Sequence, residues 1–452
     1  MLRASIMYKR DVINFLFLLS FPMFGIGTYV SAFKSPSVGY IVSVLPHILI
    51  LIFYIIDLLY KRNFSIRLNL IYGLMLVYIA SVIVAYFIAL SKDLPEATMI
   101  GFISKSVLVI LPFHGFIAVI LYNDSGEAKL AKLALTSLSL LLFLNLIGYF
   151  VLGISNEVHS IEGRLSFPFL DGFYSGASLL VIINLLLLYY LKKAFGNPIR
   201  FSYLSIYFIF NTVLFLMINS RLATMVFLFV LVLMAFRIIR MKGIFLLSMF
   251  TLPILLSSGL ILYKVMQWPG LSSLMKRVDI QDVSTFNGRA YLWQDAIDWL
   301  TTSQEGLFFG NGYKGHFFLG LVNDVAILWN EKEVHHMHLH STSLEVLVSQ
   351  GILLFAIFAL LLYKTYCYFR DKHRLGTEDG AFFPVVVYLL FILQIDTFVY
   401  DDSLGFIILS LLIAKVAVTA KSTEPERVVY QSKEIIVEME PYLIDNSQFK
   451  LT

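Results

Sequence analysis

The stretch Thr342–Tyr363, "TSLEVLVSQGILLFAIFALLLY", decides the fold. From Val346 it runs for about 18 residues without a charge, and at 1.5 Å per helical residue such a run nearly crosses a hydrocarbon core of roughly 30 Å. It is headed by "TSLE", where Thr342 as N-cap and Glu345 three positions on form a capping box, so the spacing predicts a helix that begins at a defined point and then enters a bilayer. Comparable runs recur along the chain. We read twelve spans, near 11–30, 38–60, 68–90, 100–122, 130–153, 172–191, 201–219, 222–240, 243–262, 346–363, 382–400 and 403–420. Composition agrees: with 59% hydrophobic and 14% charged residues and a mean hydropathy of +0.81, the chain has more apolar surface than a soluble core of 452 residues would bury.

The expected fold class is therefore an all-α polytopic membrane protein of about twelve transmembrane helices, with one large external loop between spans nine and ten that contains amphipathic helices. The expected organisation is 1–262 for spans one to nine, 263–345 for the loop, 346–420 for spans ten to twelve, and 421–452 for a C-terminal tail. Lysine and arginine set the orientation. Alternate short connections hold Lys61, Arg62 and Arg67, then Lys192, Lys193 and Arg200, then Arg237, Arg240 and Lys242, then Lys364, Arg370, Lys372 and Arg374. The opposite connections hold little more than Lys34, Lys92, Arg164 and Arg221. The positive-inside rule then places both termini in the cytoplasm and the long loop outside. The first span, after "MLRASIMYKR", is expected to be an uncleaved signal anchor. Cys367 is the one cysteine, so no disulfide forms within the chain. The net charge of +4 is accounted for by topology and gives no indication of nucleic acid, and no phosphate-binding glycine loop or internal repeat is present.

Chemistry is expected where polar residues break the apolar pattern on the outer side. In "RAYLWQDAIDWL", Trp293, Ile297 and Leu300 fall at i, i+4, i+7, the pattern of an amphipathic helix lying in the membrane interface. Arg289 stands at its start, where guanidinium and outward-pointing backbone amides together suit a phosphate; position alone fits an arginine snorkelling to lipid headgroups at least as well. Arg221 in "MINSRLATMVF" must sit at the outer boundary between two spans, as an anion ligand or as a cap for the carbonyls of span seven. Arg164, in "IEGRLSFPFLDG", is a third outer arginine, and the three together form a candidate diphosphate clamp. Asp396, Asp401 and Asp402 gather at the outer ends of the last two spans, where they would orient an arginine, bind acceptor hydroxyls or simply remain solvated.

The densest polar cluster is "EKEVHHMHLHSTSLE", Glu331–Glu345. Were it extended, His336, His338 and His340 would share one face with His335 opposite. Residues so close along one strand surround a metal poorly and no second ligand pair occurs at a recognisable spacing, so no metal and no cofactor is expected. His340 instead stands two residues before a helix N-terminus, whose dipole disfavours imidazolium and leaves a neutral ring able to accept a proton. The alternative is a histidine that merely packs at the interface. A different class of function, a lipid or solute transporter or flippase, would use ionisable residues nearer the midplane. Its candidates are few: Asp57, Asp396, Lys105, and the pairs Pro46/His47 and Pro112/His114.

Taken in order, "SR" at Ser220–Arg221, "GRAYLWQDAIDWL" followed by "LFFGNGYKG", and "HLHSTSLEVLVSQGILLFAIF" resemble the O-antigen ligase and polymerase superfamily of bacterial envelope glycan assembly. The resemblance covers roughly the second half of the chain. It implies a GT-C-like fold in the bacterial inner membrane and an active site on the external face. It also implies a metal-independent, inverting glycosyltransferase whose donor is an oligosaccharide linked to undecaprenyl diphosphate. Membrane lipids and other assembly proteins, such as a flippase or chain-length regulator, are the implied partners. Arg221 and Arg289 take the diphosphate, and His340 is the implied base. Ser341 stands where the family often has asparagine, which makes His338 the alternative base; Gly351 in the helix matches the family's habit. The Phe- and Tyr-rich composition and divergent first half favour a repeat-unit polymerase over the ligase that transfers finished polymer to a lipid A core.

Overall fold

The computed structural model describes residues 2–61, 69–95, 97–123, 130–154, 164–257, 288–400 and 403–419, and all regular structure among them is helical. The first seven helices follow the expected spans: α1 (Leu2–Phe33), α2 (Pro36–Lys61), α3 (Leu70–Ser91), α4 (Met99–Asn123), α5 (Leu130–Leu146, continued by a π-helical turn Ile147–Val151), α6 (Gly172–Ala194) and α7 (Pro198–Ile218). Asn69 and Asn197 cap α3 and α7, their side chains accepting from Ile71 N at 2.8 Å and Arg200 N at 3.1 Å. Nine helices among the described residues are long and apolar enough to cross a membrane, and two shorter apolar helices join them.

The expected eighth span is shorter than its hydropathy suggested, and the described part of the ninth is broken in two. α8 (Arg221–Ala235) stops where Arg237 turns left-handed, at φ +59°, and a 3-10 turn Ile238–Arg240 follows; basic residues here end the apolar run. Beyond it the chain forms two seven-residue helices, α9 (Gly243–Met249) and α10 (Thr251–Ser257), where one span was expected. The rest of that span, the first part of the large loop and the C-terminal tail lie outside the described residues.

Within the described part of the loop stand α11 (Arg289–Thr301), α12 (Gly315–Phe318) and α13 (Asn323–Trp329). α11 occupies the predicted position but buries a different face. Arg289, Leu292, Trp293, Ala296 and Trp299 are buried, whereas Ile297 and Leu300 are only partly covered. The reason lies in the indoles: Trp293 Nε1 donates to Leu339 O and Trp299 Nε1 to Glu305 O, each at 3.0 Å, so both rings are held within the protein instead of anchoring in lipid.

The last three helices are α14 (Thr342–Arg374), α15 (Phe383–Ile395) and α16 (Leu404–Thr419). α15 is buried on every side, packed against α6, α8, α9 and α14, while α14 also packs on α3 and α16 on α4. α14 is not the continuous span that its sequence suggested. Gly351, at φ +82° and ψ 172°, breaks it. The broken ladder is repaired by the glycine-rich loop before α12: Asn311 N donates to Val348 O at 3.0 Å and Gly312 N to Ser349 O at 3.1 Å, while Ile352 N donates to Leu307 O at 2.8 Å. Irregular backbone is tolerated at membrane depth where other protein groups satisfy it, and this loop does so. The approach requires glycine: a Cβ on Gly351 would lie 2.4 Å from Phe308 O, and one on Gly310 would lie 2.2 Å from Ser349 O.

Candidate functional site

The first half of α14, Thr342 to Gly351, is buried throughout and bears the polar groups Thr342, Ser343, Glu345, Ser349 and Gln350. Ser341, not Thr342, is the N-cap, its hydroxyl facing Leu344 N at 3.4 Å. Thr342 donates to Asp396 O through both its amide, at 3.1 Å, and its hydroxyl, at 3.0 Å, which docks the helix start on the end of α15. Glu345 is thereby released from the predicted capping box. Its Oε1 accepts from Leu339 N at 2.6 Å and its Oε2 lies 2.9 Å from His316 Nδ1; His316 Nε2 lies 2.9 Å from Met337 O. Both side chains are buried to within 1%. One carboxylate and one imidazole thus grip the backbone on either side of His338. His316 carried no recognisable signal, since its partner lies 29 residues away.

The four clustered histidines are not on alternating faces of a strand. Val334–His336 is a 3-10 turn that sets the His335 and His336 rings 4.2 Å apart, and Met337 after it is extended. His340 then turns left-handed, at φ +50°, and its ring lies 4.1 Å from that of His338 and 6.0 Å from Trp329. Burial pushes His338 down to about 4, against a smaller opposing pull from Glu345. Burial also holds His340 well below the ordinary histidine range, helped by the charges of neighbouring His338 and Arg289. His340 Nδ1 is buried with no hydrogen-bond partner. This leaves an imidazole that is neutral at physiological pH, with one nitrogen unpaired and shielded from solvent.

Both rings line a cavity of about 640 Å³, walled also by the ends of α1 and α2, the segment Pro168–Ser175, Tyr313, His316, Glu345 and the residues after α15. Two cations on its wall carried no weight in the sequence as anion ligands. Lys105 donates to Tyr313 Oη at 2.8 Å and lies 4.4 Å from that ring's centre; Lys314 donates to His335 O at 2.6 Å. Tyr313 stacks on Tyr400, with ring planes 6° apart at 6.4 Å, which stiffens this wall.

None of the three arginines lines the cavity, though Arg164 and Arg289 stand behind residues that do. Arg289 is 4% exposed: its guanidinium donates to Ile395 O and to Tyr174 Oη, each at 2.8 Å, and lies 3.7 Å from Asp396 Oδ2. Asp396 faces the cavity, and burial raises its carboxyl above the usual range, an effect that Arg289 opposes. Arg164 lies over Phe173, 5.7 Å from the ring centre. Phe173 and Tyr174 are neighbours on the cavity wall, so Arg164 and Arg289 back adjacent aromatic rings. Arg221 is exposed at the start of α8; the nearby bond from Leu165 N to Met217 O, 3.2 Å, ties the Arg164 segment to the end of α7. Asp401 and Asp402 lie outside the described residues. Of the transporter candidates, Asp57 pairs with Lys9 at 2.7 Å and Lys105 faces the same cavity as the histidines.

Compared with curated proteins, the chain finds no match. Residues 206–359, from within α7 to within α14, match the family described as O-antigen ligase. The matched segment contains Arg221, Arg289, His316, His338, His340, Glu345 and Gly351. The match spans about a third of the chain, which over that segment is similar to the O-antigen ligase family, and its long apolar helices are those of a membrane protein.

Proposed function

We propose that the chain is a polysaccharide repeat-unit polymerase, an inverting and metal-independent glycosyltransferase. It moves glycan from an undecaprenyl-diphosphate carrier to a sugar hydroxyl of a second lipid-linked repeat unit. The observation that carries this reading is His340: a half-buried imidazole held neutral by its surroundings, on the wall of a cavity large enough for sugar rings. The cavity opens among the connections poor in lysine and arginine, which supports an external active site with cytoplasmic termini in the inner membrane.

In this mechanism the acceptor hydroxyl gives its proton to His340 while its oxygen attacks the anomeric carbon of the donor. The bond from that carbon to the phosphate oxygen breaks, the electron pair leaves with the lipid diphosphate, and the configuration inverts. Lys105 and Lys314 meet the diphosphate on the cavity wall. Arg289 and Arg164 add fixed positive charge behind Tyr174 and Phe173, and Arg221 binds at the cavity's approach. Asp396 holds Arg289 and offers its second face to acceptor hydroxyls.

Purified protein incubated with a polyprenyl-diphosphate-linked repeat unit should yield a ladder of longer glycans. His340→Ala should lower the rate by about 10²- to 10⁴-fold, and EDTA should leave it unchanged. Full activity in His340→Ala would remove the base assignment. The description of the matching family favours a second reading, transfer of polymer to a lipid A core; that product in place of a ladder would establish the ligase.

A further inference from the structure

His335 and His336 take no part in that mechanism. We propose that the turn Glu333–His336 binds a divalent transition-metal ion of the zinc class at the rim of the cavity. One ligand atom from each of Glu333, His335 and His336 lies within 4.8 Å of the other two. Ligand atoms bound at about 2.0–2.2 Å around one tetrahedral ion stand about 3.4 Å apart, so small side-chain rotations close the site. His336 Nε2 and Glu333 Oε2, now 2.6 Å apart in a hydrogen bond, would exchange the shared proton for the ion and separate by about 0.8 Å, while the two imidazole rings already lie 4.2 Å apart.

The backbone explains why the three converge. In a 3-10 turn residues i and i+3 eclipse, which puts Glu333 and His336 on one edge. The turn is held by His336 N donating to Glu333 O at 2.9 Å and Met337 N to Val334 O at 3.1 Å. It is pinned from outside by Lys314 Nζ on His335 O and by His316 Nε2 on Met337 O. Lys314 thus engages the turn through a carbonyl and not through a ligand atom. Two imidazoles and one carboxylate are a borderline N,N,O set, suited to zinc, cobalt or nickel rather than to magnesium or calcium. Three protein ligands leave a coordination position for water or an anionic oxygen. Because His336 also lines the cavity, the ion would sit where an incoming ligand passes. The site stands independently of the glycan chemistry, which uses His340.

The test is zinc binding to the full-length protein, purified in detergent and stripped with EDTA, followed by calorimetry, with cobalt absorption as a second readout. One ion per chain is expected at micromolar affinity, weakened at least tenfold in His335→Asn, His336→Asn and Glu333→Gln and unchanged in His338→Asn. These positions are partly or largely exposed, so the variants are expected to fold. Absence of binding, or binding that survives the double variant His335→Asn/His336→Asn, would overturn the site. Binding lost in His338→Asn instead would move it to the other histidine pair and equally refute the proposal.

Discussion

At His340 and His338, burial decides the chemistry, and the consequence is a pH profile. Both rings are held below the ordinary histidine range, so the neutral form persists as pH falls. Glycan transfer should therefore be level from pH 8 to about 6 and decline only towards the value near 4 that His338 shows. A half-maximal rate between pH 6.5 and 7 would mean that the base titrates as though in water. Stability follows the same sign. The unfolded histidines take up protons from about 6.5 downward while the folded ones do not, so their contribution is intact above that pH and is lost as pH falls below it, for His338 down to about 4. Rates at low pH need normalising to the folded fraction. A second prediction concerns Glu345. Glu345→Ala strands the buried Leu339 N–H and His316, each at a cost of about 1–3 kcal/mol, and frees the backbone that sets both cavity-wall rings, His338 and His340. Transfer should collapse through kcat more than KM. Glu345→Gln can still accept from Leu339 N and can donate to His316 Nδ1, so it should restore most of the rate; equal loss in both variants would mean that the carboxylate itself reacts. These residues differ in how legible they were. The place of His340 on the cavity wall was readable because it stands beside a helix start. His316 was not, because pairing across 29 residues leaves no local pattern, and the capping box had already absorbed Glu345.

The break in α14 shows where hydropathy stops informing. An apolar run gives length and placement, and those of the spans up to α7 follow it closely, since lipid-facing helices need little more than composition. A kink is different, because it depends on what approaches it. Gly351 looked like one glycine in a span, yet its backbone meets Phe308 and Gly310 from a loop 40 residues earlier. Gly351→Ala should therefore cost about 1–3 kcal/mol for the positive φ alone, with the contact on Phe308 O in addition. Gly73→Ala, in α3 with nothing within 4 Å of the new methyl, supplies the control and should be neutral or stabilise by up to about 1 kcal/mol. Thermal melts in detergent would decide, and equal melting temperatures for the two variants would refute the account of the break. The same dependence on approach explains α11. Its start at Arg289 was legible, but the choice of buried face rests on acceptors at Leu339 and Glu305 that no helical periodicity encodes.

For the whole molecule, the decisive quantity is which end of the bundle faces out. The cavity lies at one end, among the turn after α1, the segment before α6 and the loop before α14. The basic connections, such as Lys192 and Lys193 before the turn at Phe195, lie at the other. Translocation leaves lysine and arginine behind, so the cavity end is expected on the external side. Phe309, 75% exposed in the glycine-rich loop, and Phe195, 81% exposed in the turn after α6, mark the two ends. In a Cys367→Ala background, Phe309→Cys should react with a membrane-impermeant maleimide added to intact cells, and Phe195→Cys only after permeabilisation. The native cysteine sits in the second half of α14, which under this topology ends inside. The reverse labelling would put His340 in the cytoplasm, away from an externally presented lipid-linked glycan, and the polymerase reading would fail even though every contact within the site would stand.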